Sequence, residues 1–274
     1  MARSLETSGP DQTLGGGYDV AWNRIGRNAG YVAGGAFFLT TLLFLLDSTD
    51  LLAPSPVYQV TAAGRLQDLA TYFVAFFAHQ HLILWDIALR DTLGPVSDVG
   101  LMVLVLAVAN LLRWRGAAVQ LMVLFGSLGA VLMAISSLTF LAEIHYYRVT
   151  DWNADPAANM VAVGRASEAI DALTVYPEVA GFAALAVGLV YLGRLCRTRD
   201  ELPSRLAALA YVESVALLGA GVALVARLNA AYNVLALVTG VLIAPILAIW
   251  LGRHFARLDR AQQAAATVDG NLSG

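Results

Sequence analysis

The chain contains no lysine; all 17 of its basic residues are arginine. A lysine Schiff base is therefore impossible, which excludes a retinal-binding seven-helix pump of the usual kind. Codon bias toward high GC explains the arginine preference without invoking function. The one cysteine, Cys196, has no partner for an internal disulfide and reads as a small, inert side chain among arginines. Charged residues make up only 14% of the chain, against about 25% in a soluble domain. The formal net charge of -3 gives no electrostatic case for nucleic acid. No phosphate loop, GxGxxG, HExxH or CxxC is present.

What the chain does have is apolar surface. Hydrophobic residues make up 58% of it, mean hydropathy is +0.67, and several apolar runs approach the length of a membrane span. The expected fold class is all-α: a polytopic transmembrane helix bundle in contact with the lipid bilayer. The expected organisation is a polar N-terminal tail (1–27), one transmembrane domain (28–260) and a flexible C-terminal tail (261–274). The first 29 residues are Gly-rich and mix both charge signs, unlike a signal peptide.

The first span is expected at Asn28 to Leu46, with a GxxxG at Gly30 and Gly34 that lets helices approach closely, within the chain first and between copies second. A polar loop, Asp47 to Gly64, precedes Leu66 to Arg90, a stretch apolar enough to enter a membrane yet carrying His79, His81 and Asp86. Arg90, Asp91, Gly94 and Pro95 are expected to end that helix. A second span then starts at Pro95, its first turn suited to Pro and Asp. Further spans are expected at Ala117–Ala142, Leu173–Gly193, Leu206–Ala226 and Ala231–Leu251. Glu143 to about Ala169 reads as a long polar loop whose second half is helical in character.

Arginine placement tests the topology, because positive residues accumulate on the cytoplasmic side. If Leu66–Arg90 does not cross and the N-terminus is inside, twelve arginines lie inside: Arg3, Arg24, Arg27, Arg113, Arg115, Arg194, Arg197, Arg199, Arg205, Arg253, Arg257 and Arg260. Five lie outside: Arg65, Arg90, Arg148, Arg165 and Arg227. If it crosses, the best split is ten against seven. Six spans plus one lateral or re-entrant amphipathic helix is the cleaner solution, with seven spans as the alternative. Both termini are then expected in the cytoplasm, in a bacterial inner membrane.

Two groups of residues are candidates for chemistry. On a helix through Leu66–Arg90, the side chains of Asp68, Tyr72, His79, Asp86 and Arg90 share one face, and Asp86 and Arg90 are spaced to pair. This stripe reads either as a helix face satisfying its own polar groups or as a ligand- or proton-handling surface. His79 and His81 mimic an HxH metal pair, but on a helix they point about 160° apart. A metal or haem site would have to bring in Glu143 and His145 from elsewhere. The second group is Glu178, after Pro177, and Glu213, within its span. Each reads as a neutral helix tie or as a functional intramembrane carboxyl.

From Val161 onward, VAVGRASEAIDALTVYPEVAG, VYLGRLCRTRDELPSRLAAL and APILAIWLGRHF resemble a widespread family of uncharacterised bacterial membrane proteins with about six spans. The resemblance runs over about Ile25 to Phe255 and implies a six-span bundle but no activity; Leu66–Arg90 is where the chain departs from it. Three functional readings follow from the residues. The first is a non-enzymatic membrane protein that binds a lipid-like, hydrophobic or amphipathic small molecule or packs against another membrane protein. The second is a redox, metal- or haem-dependent membrane enzyme or subunit using His79, His81 and His145. The third is a proton-coupled transporter using Glu178 and Glu213, which the lack of a visible inverted repeat disfavours.

Overall fold

The computed structural model describes residues 15–49, 51–52, 54, 66–149 and 157–272, though not the side chains at 15–20, 66–67, 141–149 and a few positions near the start of the fifth helix, at 171 and after 265. The described residues form helices α1 (Gly15–Ser48), α2 (Leu66–Leu82), α3 (Leu84–Leu111), α4 (Ala117–Val149), α5 (Ala157–Thr198), α6 (Leu206–Val225), α7 (Asn229–Ala236) and α8 (Ala244–Leu272). A π-helical turn, Leu237–Ile243, joins α7 to α8. No strand occurs among the described residues.

Among the described residues, six helices are long and apolar enough to cross a membrane: Ala21–Ser48, Leu84–Leu111, Ala117–Phe140, Val161–Thr198, Leu206–Val225 and Asn229–Ala265. The protein is a multi-pass membrane protein with an all-α bundle. Its outward faces suit lipid. On α6, Val212, Val215, Val222 and Val225 are each more than half exposed, while Glu213, Ser214 and Leu217 turn inward. A helix with no water to satisfy its backbone must bond internally, so only complete helices of this kind can cross.

The bundle has two distinct ends. One carries the α3–α4 and α5–α6 links and the C-terminal part of α8, and with them Arg113, Arg115, Arg199, Arg205 and Arg253. The links touch there: Arg199 Nη2 donates to the Arg115 carbonyl at 3.3 Å, and the His254 Nε2 lies 2.8 Å from the Glu201 carbonyl. A tight turn follows α3, with Arg113 at φ 51°, Trp114 at φ 54° and Gly116 at φ 93°. The opposite end carries Asp47, Arg90 and Arg227.

The largest apolar core fills the arginine-rich half, around Leu104, Val108, Leu206, Leu251 and Phe255. Here α1 crosses α8 almost backbone to backbone. A Cβ on Gly30 would sit 2.6 Å from the Ala248 carbonyl oxygen and 2.7 Å from the Gly252 Cα. The GxxxG therefore packs within the chain, as small residues do where lipid supplies no hydrophobic drive.

Several expectations need correction. Leu66–Arg90 is not one helix: the chain breaks at Ile83 (φ -99°, ψ 14°), α2 ends before it, and α3 carries Leu84–Arg90 into the membrane as the start of the second span. Pro95 does not begin that span but lies inside it, eleven residues from the start. Proline costs one backbone bond to residue i−4, a loss that membrane helices tolerate when neighbours hold the turn. Here α3 is held on both sides, Gly100 against Ala33 of α1 and Gly94 against Ser137 of α4.

The expected loop Glu143–Ala169 is mostly helix, because α4 continues to Val149 and α5 begins at Ala157. The chain ends likewise run on: α1 begins at Gly15 within the expected tail, and α8 continues to Leu272, where the Asn23 Nδ2 donates to the Gln262 Oε1 at 2.9 Å. Helix α2 packs as a separate piece, with Ala70, Phe73 and Phe77 against Val161 and Val163 of α5.

Candidate functional site

A cavity of about 460 Å³ occupies the centre of the bundle, between α1, α3, α4, α5, α6 and the α7–π–α8 segment. It falls within the usual size of small-molecule sites, roughly 300–1,000 Å³. The residues of α3 set its character. Asp91, Gly94, Asp98, Leu101 and Val105 recur at three to four residues and line the wall as one helical face, polar toward the Asp47 end and apolar toward the arginine-rich end.

At the Asp47 end, Arg90 spans two carboxylates. Its Nη1 lies 3.4 Å from the Asp47 Oδ2, and its Nε lies 3.6 Å from the Asp91 Oδ1. The guanidinium carbon sits 5.9 Å from the centre of the Phe44 ring, a cation–π distance. The His79 Nε2 approaches the other Asp47 oxygen at 3.9 Å and so ties α2 to this cluster. The Asp47 and Arg90 side chains remain about one-fifth exposed, 22% and 19%.

Deeper in, the wall holds three more carboxylates. Glu178 of α5 accepts a 2.7 Å hydrogen bond from the Tyr232 hydroxyl of α7. Asp98 and Glu213 are each only 3% exposed; the Glu213 Oε2 is buried with no hydrogen-bond partner among the described residues, and Asp98 makes no side-chain hydrogen bond or ion pair with a described residue. Beside Glu213, the Ser214 Oγ donates to the Ala186 carbonyl at 2.9 Å, which anchors α6 to α5 and fixes the Glu213 side chain toward the cavity. An ionised carboxylate without a partner in a low-dielectric interior costs several kcal/mol. Beyond these groups the wall is apolar: Leu104, Val108, Met122, Leu192 and Leu251.

The last span has a local reason to bend here. Pro245 cannot donate to residue i−4, and the turn before it widens to a π-helix, with the Ala244 N–H bonding the Thr239 carbonyl. The wide turn presents Thr239 and Gly240 to the cavity, across from Thr40 and Thr41 of α1.

Of the residues singled out from sequence, Arg90, Glu178 and Glu213 line this one cavity. His79 is buried and reaches it through Asp47. Asp68 and Tyr72 lie on α2, away from the cavity, with Tyr72 packed among the Phe73 and Phe76 rings. Because α2 and α3 are separate helices, the proposed common face from Asp68 to Arg90 does not exist. The expected Asp86–Arg90 pair is replaced by pairs of Arg90 with Asp47 and Asp91. Asp86 itself is fully buried, and neither of its carboxylate oxygens has a hydrogen-bond partner among the described residues.

His79 is buried while His81 is exposed, so the two histidines face different surroundings. The side chains of Glu143 and His145 lie outside the described residues. Among the described residues, no three His, Cys, Asp or Glu side chains gather as metal ligands.

Sequence reasoning missed Asp47, Asp91, Asp98 and Tyr232. A signal for two of them was available. The apolar run starting at Val99 is short for a span, and extending it backward through Pro95 puts Asp91 and Asp98 two turns apart on one face. In comparison with known proteins, no family model, curated protein or solved structure matches this chain.

Proposed function

We propose that the protein binds a small amphipathic molecule in its central cavity, within the cytoplasmic membrane, and admits it from the side opposite the arginine-rich end. One observation carries this reading: the cavity joins charged and hydroxyl groups, from Asp47 and Arg90 in to Asp98 and Glu213, to an aliphatic wall that includes Leu104, Val108 and Leu251. Pockets that are mostly apolar with a few convergent polar groups are the usual form of a ligand site. The arginine-rich end faces the cytoplasm by the positive-inside rule. The open, less buried Asp47 end is then on the outer side.

Native mass spectrometry of the protein taken from its own membranes tests this directly. The expected result is a bound small molecule that is lost in Ala236→Phe, which fills space on the cavity wall. Retention of the molecule in the filled variant would place its binding elsewhere.

A second reading, proton-coupled transport, is favoured by the Tyr232–Glu178 hydrogen bond within the same cavity. Under it, Glu178→Gln keeps ligand binding but ends ligand-driven proton movement in sealed vesicles. Unchanged proton movement in that variant would remove this reading.

A further inference from the structure

The charged groups on the cavity wall fall into two sets. Asp47, Asp91 and Arg90 neutralise one another at the mouth, and Glu178 is engaged by Tyr232. Asp98 and Glu213 are left over. Both are 97% buried and both line the cavity; the Glu213 Oε2 has no hydrogen-bond partner among the described residues, and Asp98 makes no side-chain hydrogen bond or ion pair with one. Among the described residues, the wall carries five carboxyl groups and a single basic side chain, Arg90, which is already occupied.

We infer that the molecule this cavity takes is an amphipathic organic cation, an amine or quaternary ammonium on an apolar body, held at its charged end by Asp98 and Glu213. The inference rests on the cavity reading above and adds the chemical class of the ligand. An ionised carboxylate only accepts hydrogen bonds. An anionic head placed between these two carboxylates would meet like charge. A neutral hydroxyl would offer one donor and no charge. An ammonium supplies both, and hydrogen bonds between ionised partners are about twice as strong as neutral ones. A bare metal ion would need a shell of six or more oxygens, whereas most of this wall is aliphatic.

The apolar body has a place to go, since Leu104, Val108, Met122 and Leu192 continue the same cavity past the carboxyl groups. The protein already holds one cation in this manner: the Arg90 guanidinium rests between two carboxylates and over the Phe44 ring at the mouth. Phe182, farther in, offers an aromatic face on the same cavity.

The test uses three probes with one body and different heads: 4-phenylbutylamine, 4-phenylbutanol and 4-phenylbutyrate. Binding to the full chain in lipid nanodiscs is followed by calorimetry. The amine is expected to bind about tenfold or more tightly than the alcohol, as a charge-assisted bond implies, and the carboxylate more weakly than either. Asp98→Asn and Glu213→Gln, both close in shape to the native side chains, should each erase most of the amine's advantage. Alcohol binding should change far less than amine binding, and a native circular dichroism spectrum shows that the variants fold. Equal binding of amine and alcohol, or a preference for the carboxylate, overturns the charge inference and leaves the cavity reading standing. Failure of all three probes at millimolar concentration, or alcohol binding unaffected by Ala236→Phe, overturns the cavity reading and the inference together.

Discussion

Asp259 and Asp98 are almost equally buried, 2% and 3% exposed, and their surroundings are opposite. Asp259, on α8 at the arginine-rich end, is fully engaged. It meets the Arg24 Nε at 3.4 Å and the Arg27 Nη1 at 3.3 Å, and it accepts a 3.1 Å hydrogen bond from Gln263. It ties α1 to α8 beside the glycine crossing. Asp98, on the cavity wall, has no such partner among the described residues, and neither has the Glu213 Oε2. Burial alone therefore does not distinguish a structural carboxylate from a functional one. What separates them is whether the protein supplies the counter-charge itself. Where it does, the group holds helices together; on the cavity wall, where it does not, the proposed ligand would supply it.

This contrast can be broken by substitution. Removing the carboxylate of Asp259 should be the costliest change. Asp259→Ala deletes three polar partners and leaves two arginines uncompensated, so a loss of about 3 kcal/mol is expected in thermal unfolding in detergent. Gly30→Val, which forces a side chain between α1 and α8, should lower stability by about 2 kcal/mol in the same assay.

Asp98→Asn should move stability the other way, a gain of about 1 kcal/mol, because it removes a buried charge that has no protein partner. A loss comparable to that of Asp259→Ala would mean that Asp98 is a structural tie after all. Tyr232→Phe should cost about 1 kcal/mol, the worth of one buried hydrogen bond to Glu178. Arg165→Ala serves as the baseline: its pair with Glu168 is about half exposed on both sides, and a change of about 0.5 kcal/mol or less is expected.

Much of the bundle was legible in the sequence, for identifiable reasons. Long apolar runs report the lipid environment directly and left six or seven spans; the one-sided arginines pointed to six. The Gly30–Gly34 pair pointed to close packing within the chain, and Gly252 completes it. The failure came at Pro95, where a local helix-breaking signal was outweighed by the packing of α3 against α1 and α4. That one misreading shifted the helix start by eleven residues and turned Asp98 from an intramembrane carboxyl into an apparent helix-terminal one.

The rest of the site depends on partners far apart in the chain. Asp47 meets Arg90 across 43 residues and Glu178 meets Tyr232 across 54. No spacing rule predicts such pairs, because they are set by how six helices close around a space. Glu213 was visible from the outset as a carboxyl in an apolar run, but that nothing answers it became visible only from its surroundings.

The central claim is that Asp98 and Glu213 belong to a cavity open at the Asp47 end. The protein's one native thiol makes a clean measurement possible, because Cys196 is 1% exposed and lies in the packed, arginine-rich half. A small membrane-impermeant thiosulfonate added from the outer side should leave the native chain unmodified. It should modify Ser97→Cys, next to Asp98 on the cavity wall, and 4-phenylbutylamine should slow that reaction. A Ser97→Cys thiol as unreactive as Cys196 would contradict the account.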